Sequence, residues 1–303
     1  MKSKFEESSY ESHGGWYDKR YPDQESRVKN IHNWKEGIKN NNINYWLHSR
    51  MFRLSNPFVK KGEEWLTIGD GYGFDGYYFF DKGCEVTATD ISDTFLPLAK
   101  EAGLINNYSI ENVEKLSFAD SSFDYVHCKE SFHHFPRAYM GVYEMLRVAK
   151  KAVILIEPHD PIARMPLMLA LKNILDYFSP YILQKYWKNR YSFETVGNYV
   201  FKLSERDMEK IAMGMNLPAI AFKGINTNYY DPNIANEKAD DSSNAFKKLM
   251  SKISRDNFLA KWGILPYQSL CAVIFKAIPD NEIINKMKSD GFLYYEFPKN
   301  PYL

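Results

Sequence analysis

The chain has 303 residues, 45% of them apolar and 25% charged, and its 39 Lys and Arg against 38 Asp and Glu leave a formal net charge of +1. Such a composition excludes wholesale disorder, and the near-zero charge gives no global field toward nucleic acid or an anionic membrane. Cys84, Cys128 and Cys271 stand far apart with no CxxC spacing, which argues against a disulfide framework or a cysteine zinc site and fits a reducing compartment.

The N-terminus is charged and polar, so no signal peptide is expected. No run of about 18 apolar residues occurs, so no stable membrane insertion is expected either, and the expected location is the cytoplasm. Residues 1–55 read as an N-terminal helical arm. Its first 30 residues are polar and weakly periodic, and Ser12–Tyr17 mixes glycine, histidine and aromatic rings, as an ordinary packed arm or a lid over the ligand would. Farther on, Val28, Ile31, Trp34, Ile38, Trp46 and Leu47 predict two short helices around the Asn-rich break at 40–42.

Residues 56–160 alternate strand and helix. Strands are expected at Glu64–Ile68, Cys84–Thr89, Asn107–Asn112, Phe123–Cys128 and Ala152–Glu157, the last apolar enough to be central. Helices are expected at 73–82, at 94–102 before Gly103, and at 139–148. Alternation at this spacing predicts a parallel sheet covered on both faces. Residues 161–218 read as a helical insertion, rich in Met, Leu and Tyr and broken by Pro166 and Pro180, that serves as a substrate cap or as the contact surface of a homodimer. Within it, Leu203–Met215 is an amphipathic helix opened by Ser204. Residues 219–303 supply the remaining strands, Ala219–Lys223 and Leu270–Lys276, with a polar, partly helical stretch between them and an aromatic tail that wraps back onto the domain.

Gly69, Gly71 and Gly73 fall at alternate positions directly after the first predicted strand. A tight strand-to-helix turn needs such residues, as does close approach of a ligand to backbone, and the next helix offers its free N–H groups. The second strand ends in Asp90, where a carboxylate can accept hydrogen bonds from both hydroxyls of a ribose. Together they indicate an adenosine-containing cofactor. Because Gly71–Gly76 also reads GxGxxG, a nicotinamide cofactor is an alternative. Against it, the fingerprint normally opens its domain, and here more than sixty residues precede it.

The stretch from Glu114 to Val126, EKLSFADSSFDYV, followed by His133-His134-Phe135, resembles the "LPF-x-D-x-SFD-x-V … HH" region of class I methyltransferases that use S-adenosylmethionine, of the methyltransferase type 11 kind. Glu144–Val148 and the strand ending in Glu157-Pro158 are similar to the helix and strand that follow in that family. The resemblance spans roughly residues 62–160 and implies a Rossmann-like α/β fold with a mainly parallel seven-stranded sheet. It places Gly69, Gly71 and Gly73 against the cofactor's methionine and ribose, Asp90 on the ribose hydroxyls, Ile91 on adenine, and Asn112 and Val113 at the adenine edge. His127 to Glu130, Lys129 included, border the methionine end and the methyl group. Thr67 stands where the family has an acid, and Asp70 inside the loop is the substitute charge for the methionine amine. Asn112 likewise replaces the usual acid near the adenine amino group.

A sulfonium donor needs an aligned nucleophile, exclusion of water and, for a hydroxyl acceptor, a base. The candidates for the catalytic role are Glu130, His133, His134 and His159. His159-Asp160 could join His133 or His134 on a metal, but no ligand spacing demands it, so no metal site is expected. The wider pattern resembles methyltransferases found with surface-polysaccharide synthesis, which implies O-methylation of a sugar or similar small polar metabolite. The alternatives are an NAD(P)-dependent oxidoreductase, a catalytically silent S-adenosylmethionine-binding module, and N-methylation of an amino sugar, which needs no strong base.

Overall fold

The computed structural model describes residues 4–161, 165–179, 181, 192–194 and 198–302. The arm forms α1 (Lys4–Gly14), α2 (Trp16–Arg20), α3 (Gln24–Asn40) and α4 (Ile43–Phe52). The break expected at 40–42 is sharp. Asn41 caps α3 in the left-handed region at φ 44°, and the side chain of Asn42 accepts from Tyr45 N to open α4.

A single sheet follows, made of β1 (Glu64–Ile68), β2 (Glu85–Asp90), β3 (Asn107–Ile110), β4 (Phe123–Lys129), β5 (Ala149–Pro158), β6 (Ala219–Ile225), β7 (Ser269–Phe275) and β8 (Leu293–Glu296), in the order β3-β2-β1-β4-β5-β7-β6-β8. The pairings from β3 to β5 are parallel, and those of β7 with β5 and β6, and of β6 with β8, are antiparallel. The α/β Rossmann-like expectation holds, with one correction: among the described residues the sheet has eight strands, not seven. The extra strand comes from the aromatic tail, where Leu293–Glu296 pairs with Phe222–Ala219 as an edge. An edge strand exposed on one face lacks the apolar alternation that marks a strand in sequence.

Alternation along β5 shows how both faces are buried. Val153 and Leu155 join Val142, Met145 and Leu146 of α7 (Ala138–Val148), while Ala152, Ile154 and Ile156 face Trp34, Phe52, Phe58 and Phe79. The first of these clusters also takes Met208, Ile211 and Ala212 from the amphipathic helix expected after Ser204, which spans Glu205–Gly214 with that serine accepting from Asp207 N. Smaller helices α5 (Phe74–Phe80) and α6 (Leu96–Glu101) follow β1 and β2. Past the fifth strand, α8 (Pro166–Phe178) has no buried residue. The segment 182–191, expected to continue the helical insertion, lies outside the described residues. No helix among the described residues is long and apolar enough to cross a membrane.

Candidate active site

A cavity of about 660 Å³ opens at the C-terminal ends of β1, β2 and β4. The strand order reverses beside β1, which leaves a crevice where ligands of open α/β sheets bind. Gly69 turns the chain at φ 66°, and a Cβ there would stand 2.3 Å from Ser131 Oγ, whose hydroxyl donates to Gly69 O. A Cβ on Gly71 would stand 2.2 Å from the Tyr17 hydroxyl and 2.9 Å from Asp90 Oδ2. Only glycine lets the loop, the arm and the end of β2 meet there. Gly73 is the N-cap of α5.

The charges in this floor are shared out closely. Asp70 accepts from Asp75 N and Gly76 N at the start of α5 and from Thr67 Oγ1. Thr67 thus holds the acid that the sequence pattern offers in place of a carboxyl at position 67. Burial and the neighbouring Asp75 charge raise the Asp70 pKa. Asp75 lies 3.3 Å from Lys129 Nζ, and both line the cavity. Burial opposes the Lys129 charge, but Asp75, Glu130 and Asp70 outweigh it and its pKa is raised. Nearby His127 is fully buried with neither ring nitrogen hydrogen-bonded, and burial pushes its pKa down to about 3, so it is neutral.

Asp90 Oδ1 accepts from Ser92 N, while Oδ2 faces the Tyr17 hydroxyl at 3.5 Å, a long contact. Burial lifts the Asp90 pKa to about 6. Ile91, Asn112 and Val113 line the same cavity, and Asn112 Oδ1 accepts from Glu114 N.

The four catalytic candidates separate. Glu130 lines the cavity from the end of β4, in the left-handed backbone region at φ 53°, and its Oε1 is buried without a hydrogen-bond partner. Burial, then the Glu157 charge, raises its pKa. A non-glycine residue held in that region with a buried, unsatisfied carboxylate oxygen carries a local energetic cost. His134 also lines the cavity, with Nδ1 2.6 Å from Glu194 Oε2. His133 instead meets fully buried Glu157 at 2.7 Å and does not line the cavity; Glu157 also accepts from Ser131 N and Phe132 N. Burial opposes the His133 imidazolium, but the Glu157 bond and charge prevail and its pKa is raised. His159 is held by Glu205 Oε2 and Tyr267 O through its two ring nitrogens and lies outside the cavity wall.

Other residues reach the cavity without a sequence signal of their own. The arm contributes Tyr10, His13, Trp16 and Tyr17, α4 contributes His48, and the insertion contributes Phe193 and Glu194. Only the glycine, histidine and aromatic mix at 12–17 hinted at the first group. Tyr17 packs edge-on against Tyr72 and Phe95, and Asp18 accepts from Thr94 Oγ1, so the arm is pinned to the loop after β2. Fully buried Asn198 ties three segments together, since its Oδ1 meets His13 Nε2 and its Nδ2 donates to His133 O.

Among solved structures, the chain shares 12% identity with a Haloferax volcanii protein solved in complex with the methyltransferase activator Trm112 (92% of this chain, 100% of that one, TM-score 0.49). It shares 17% with an S-adenosylmethionine-dependent methyltransferase of Methanosarcina mazei (74% and 97%, TM-score 0.44). With the magnesium protoporphyrin IX methyltransferase of Synechocystis, solved with bound S-adenosylhomocysteine, it shares 16% (75% and 81%, TM-score 0.42). No curated protein matches the sequence. The family model described as a methyltransferase domain matches residues 66–156, the stretch from β1 to the end of β5 that forms the cavity floor, and the cofactor of this domain is S-adenosylmethionine.

Proposed function

We propose that the protein transfers the methyl group of S-adenosylmethionine to a hydroxyl of a small, polar, sugar-like acceptor, with Glu130 as the general base. The observation that carries this reading is the buried, unpartnered Oε1 of Glu130, in the cavity wall on strained backbone. In the proposed step Glu130 takes the hydroxyl proton and the acceptor oxygen bonds to the methyl carbon. The S–CH₃ bond breaks with its electron pair staying on sulfur, and neutral S-adenosylhomocysteine leaves. Asp90 holds the ribose hydroxyls, Lys129 the cofactor carboxylate, and Asp70 with Asp75 the side toward the methionine amine.

The size of the cavity supports a small acceptor, because about 300–1,000 Å³ is the range of single small-molecule pockets. Aromatic rings beside carboxylates and imidazoles suit a polyol, which offers both a C–H face and hydroxyls. The arm is read as the lid of this site, and the exposed apolar α8 as its cap or as the contact face of a second copy. The cytoplasm and a role in polysaccharide synthesis are part of the same reading.

The test is calorimetric titration with S-adenosylhomocysteine, then methyl transfer to a panel of nucleotide sugars by wild type and Glu130→Gln. The variant should bind the product normally and lose turnover by about 10²–10⁴-fold, the usual contribution of a general base. Product binding without turnover on any acceptor would instead support a silent binding module. Binding of NAD(H) in place of S-adenosylhomocysteine would support the oxidoreductase. Undiminished turnover of Glu130→Gln on amino sugars would move the acceptor to nitrogen.

A further inference from the structure

His13, His134 and Glu194 come from the arm, the loop after β4 and the insertion, yet their ligand atoms all lie within 4.8 Å of one another. All three line the cofactor cavity, as does Glu130. We propose that these three residues form a binding site for a divalent first-row transition cation, of the manganese-to-zinc series, that takes the acceptor hydroxyl as a further ligand. The role given to the cation rests on the methyltransferase reading; the site itself does not.

Donor chemistry selects the ion. Two imidazoles and one carboxylate are borderline ligands suited to Zn²⁺, Fe²⁺, Co²⁺ or Mn²⁺, whereas Mg²⁺ and Ca²⁺ prefer shells of oxygen alone. Three protein ligands leave coordination positions open, the pattern of a catalytic rather than a structural site. The supporting contacts fit as well. Asn198 Oδ1 engages His13 Nε2, and the amide oxygen, which accepts only, fixes that nitrogen as the N–H and leaves the other with its lone pair. Asn198 is itself held against His133 O, and the His133 ring lies 4.0 Å from that of His134. The rings of His13 and His134 are 5.2 Å apart and tilted by 59°, so they do not stack face to face and can converge on one point.

An acceptor hydroxyl on such a cation loses its proton more readily, because the metal charge stabilises the alkoxide. Glu130 then receives that proton and the oxygen attacks the methyl carbon as before, so the cation is neither oxidised nor consumed. One consequence is that neither the arm nor the insertion alone makes the site.

The experiment uses untagged, full-length protein stripped with a chelator and dialysed. Co²⁺ and Zn²⁺ are titrated calorimetrically into wild type, His13→Ala and Glu194→Gln, and the visible d–d spectrum of the Co²⁺ form is recorded. One ion per chain with a nitrogen-ligated Co²⁺ spectrum is expected, and each variant should bind about 100-fold more weakly or not at all, since loss of even an outer partner costs about 10–100-fold. Circular dichroism confirms that the variants fold. No ion bound by the wild type, or equal binding by both variants, overturns the proposal and leaves His134–Glu194 a hydrogen-bonded pair. Metal binding without methyl transfer would preserve the site and sink only the function. Chelator-insensitive transfer by a wild type that binds no ion would do the reverse.

Discussion

The floor of the cavity is made by the ends of β1, β2 and β4, strands locked into a ladder and covered on both faces. Its roof comes from α1, α2, residues 192–194 and Asn198, fastened by a handful of side-chain links such as Asp18–Thr94, Asn198–His13 and Glu194–His134. The floor is rigid because every strand that carries a ligand-facing residue has neighbours on each side. Little buried apolar surface holds the roof, and local opening is governed by how few such contacts must break. In the proposed function this becomes a division of labour, in which the floor fixes the cofactor and the roof completes the acceptor side.

That division can be broken most severely at Asp90. Replacing it with alanine removes the proposed acceptor for both ribose hydroxyls, each bond to a charged group being worth about 1.5–3 kcal/mol, so S-adenosylhomocysteine affinity should fall by about 100-fold or more. Calorimetry checks this, and unchanged affinity would remove Asp90 from the ribose site. A smaller effect is expected from Tyr17→Ala, which takes away ring contacts worth about 0.5–1.5 kcal/mol each and should weaken the cofactor by about 10-fold. Tighter binding by that variant would mean that Tyr17 occupies space the cofactor needs.

The mildest probe is pH. Asp90 titrates near 6 in the folded chain, above its ordinary 3.8. Cofactor affinity should therefore drop several-fold as the pH falls through about 6, because the protonated carboxyl loses acceptor capacity. Stability moves the other way for this group. A carboxyl whose folded pKa is raised holds its proton more tightly when folded, so its burial costs stability above about pH 6 and the cost fades as the pH falls toward 4. Asp90→Asn should melt higher than wild type at pH 8, with the gap narrowing by pH 5. A constant gap would place the origin of the variant's stability elsewhere.

Much of the floor was legible in the sequence because its residues are neighbours in the chain. The glycine loop, the strand after it and Asp90 fall within one β-α-β unit, where local turn chemistry dictates who meets whom. Asp75 escaped notice, since an acid on a short aromatic helix reads as a solvated residue until Lys129 is brought beside it. His159 is a catalytic candidate by sequence, yet Glu205 and Tyr267 hold both its ring nitrogens. His133 and His134 were indistinguishable as neighbours; a single turn sends one to Glu157 and the other into the cavity. The roof is a different matter. His13 meets Asn198 across 185 positions, a pairing that the mix at 12–17 does not announce, and Glu194 carries no motif at all. The eighth strand was missed because an edge strand need not alternate.

The order of the strands bears on how the chain can be made. β5 is flanked by β4 and β7, so one edge of this strand, apolar from Ala152 to Ile156, has no partner until residues 269–275 exist. β6, synthesised earlier, cannot fill the place, because it pairs with β7 and β8 and not with β5. During vectorial synthesis the stretch at 66–156 that matches the methyltransferase-domain model therefore emerges whole but with a bare edge, the kind of surface on which unfinished chains aggregate. A truncation before β7 would keep every residue of the cavity described above, from Tyr10 to Glu194, and still leave the central strand open.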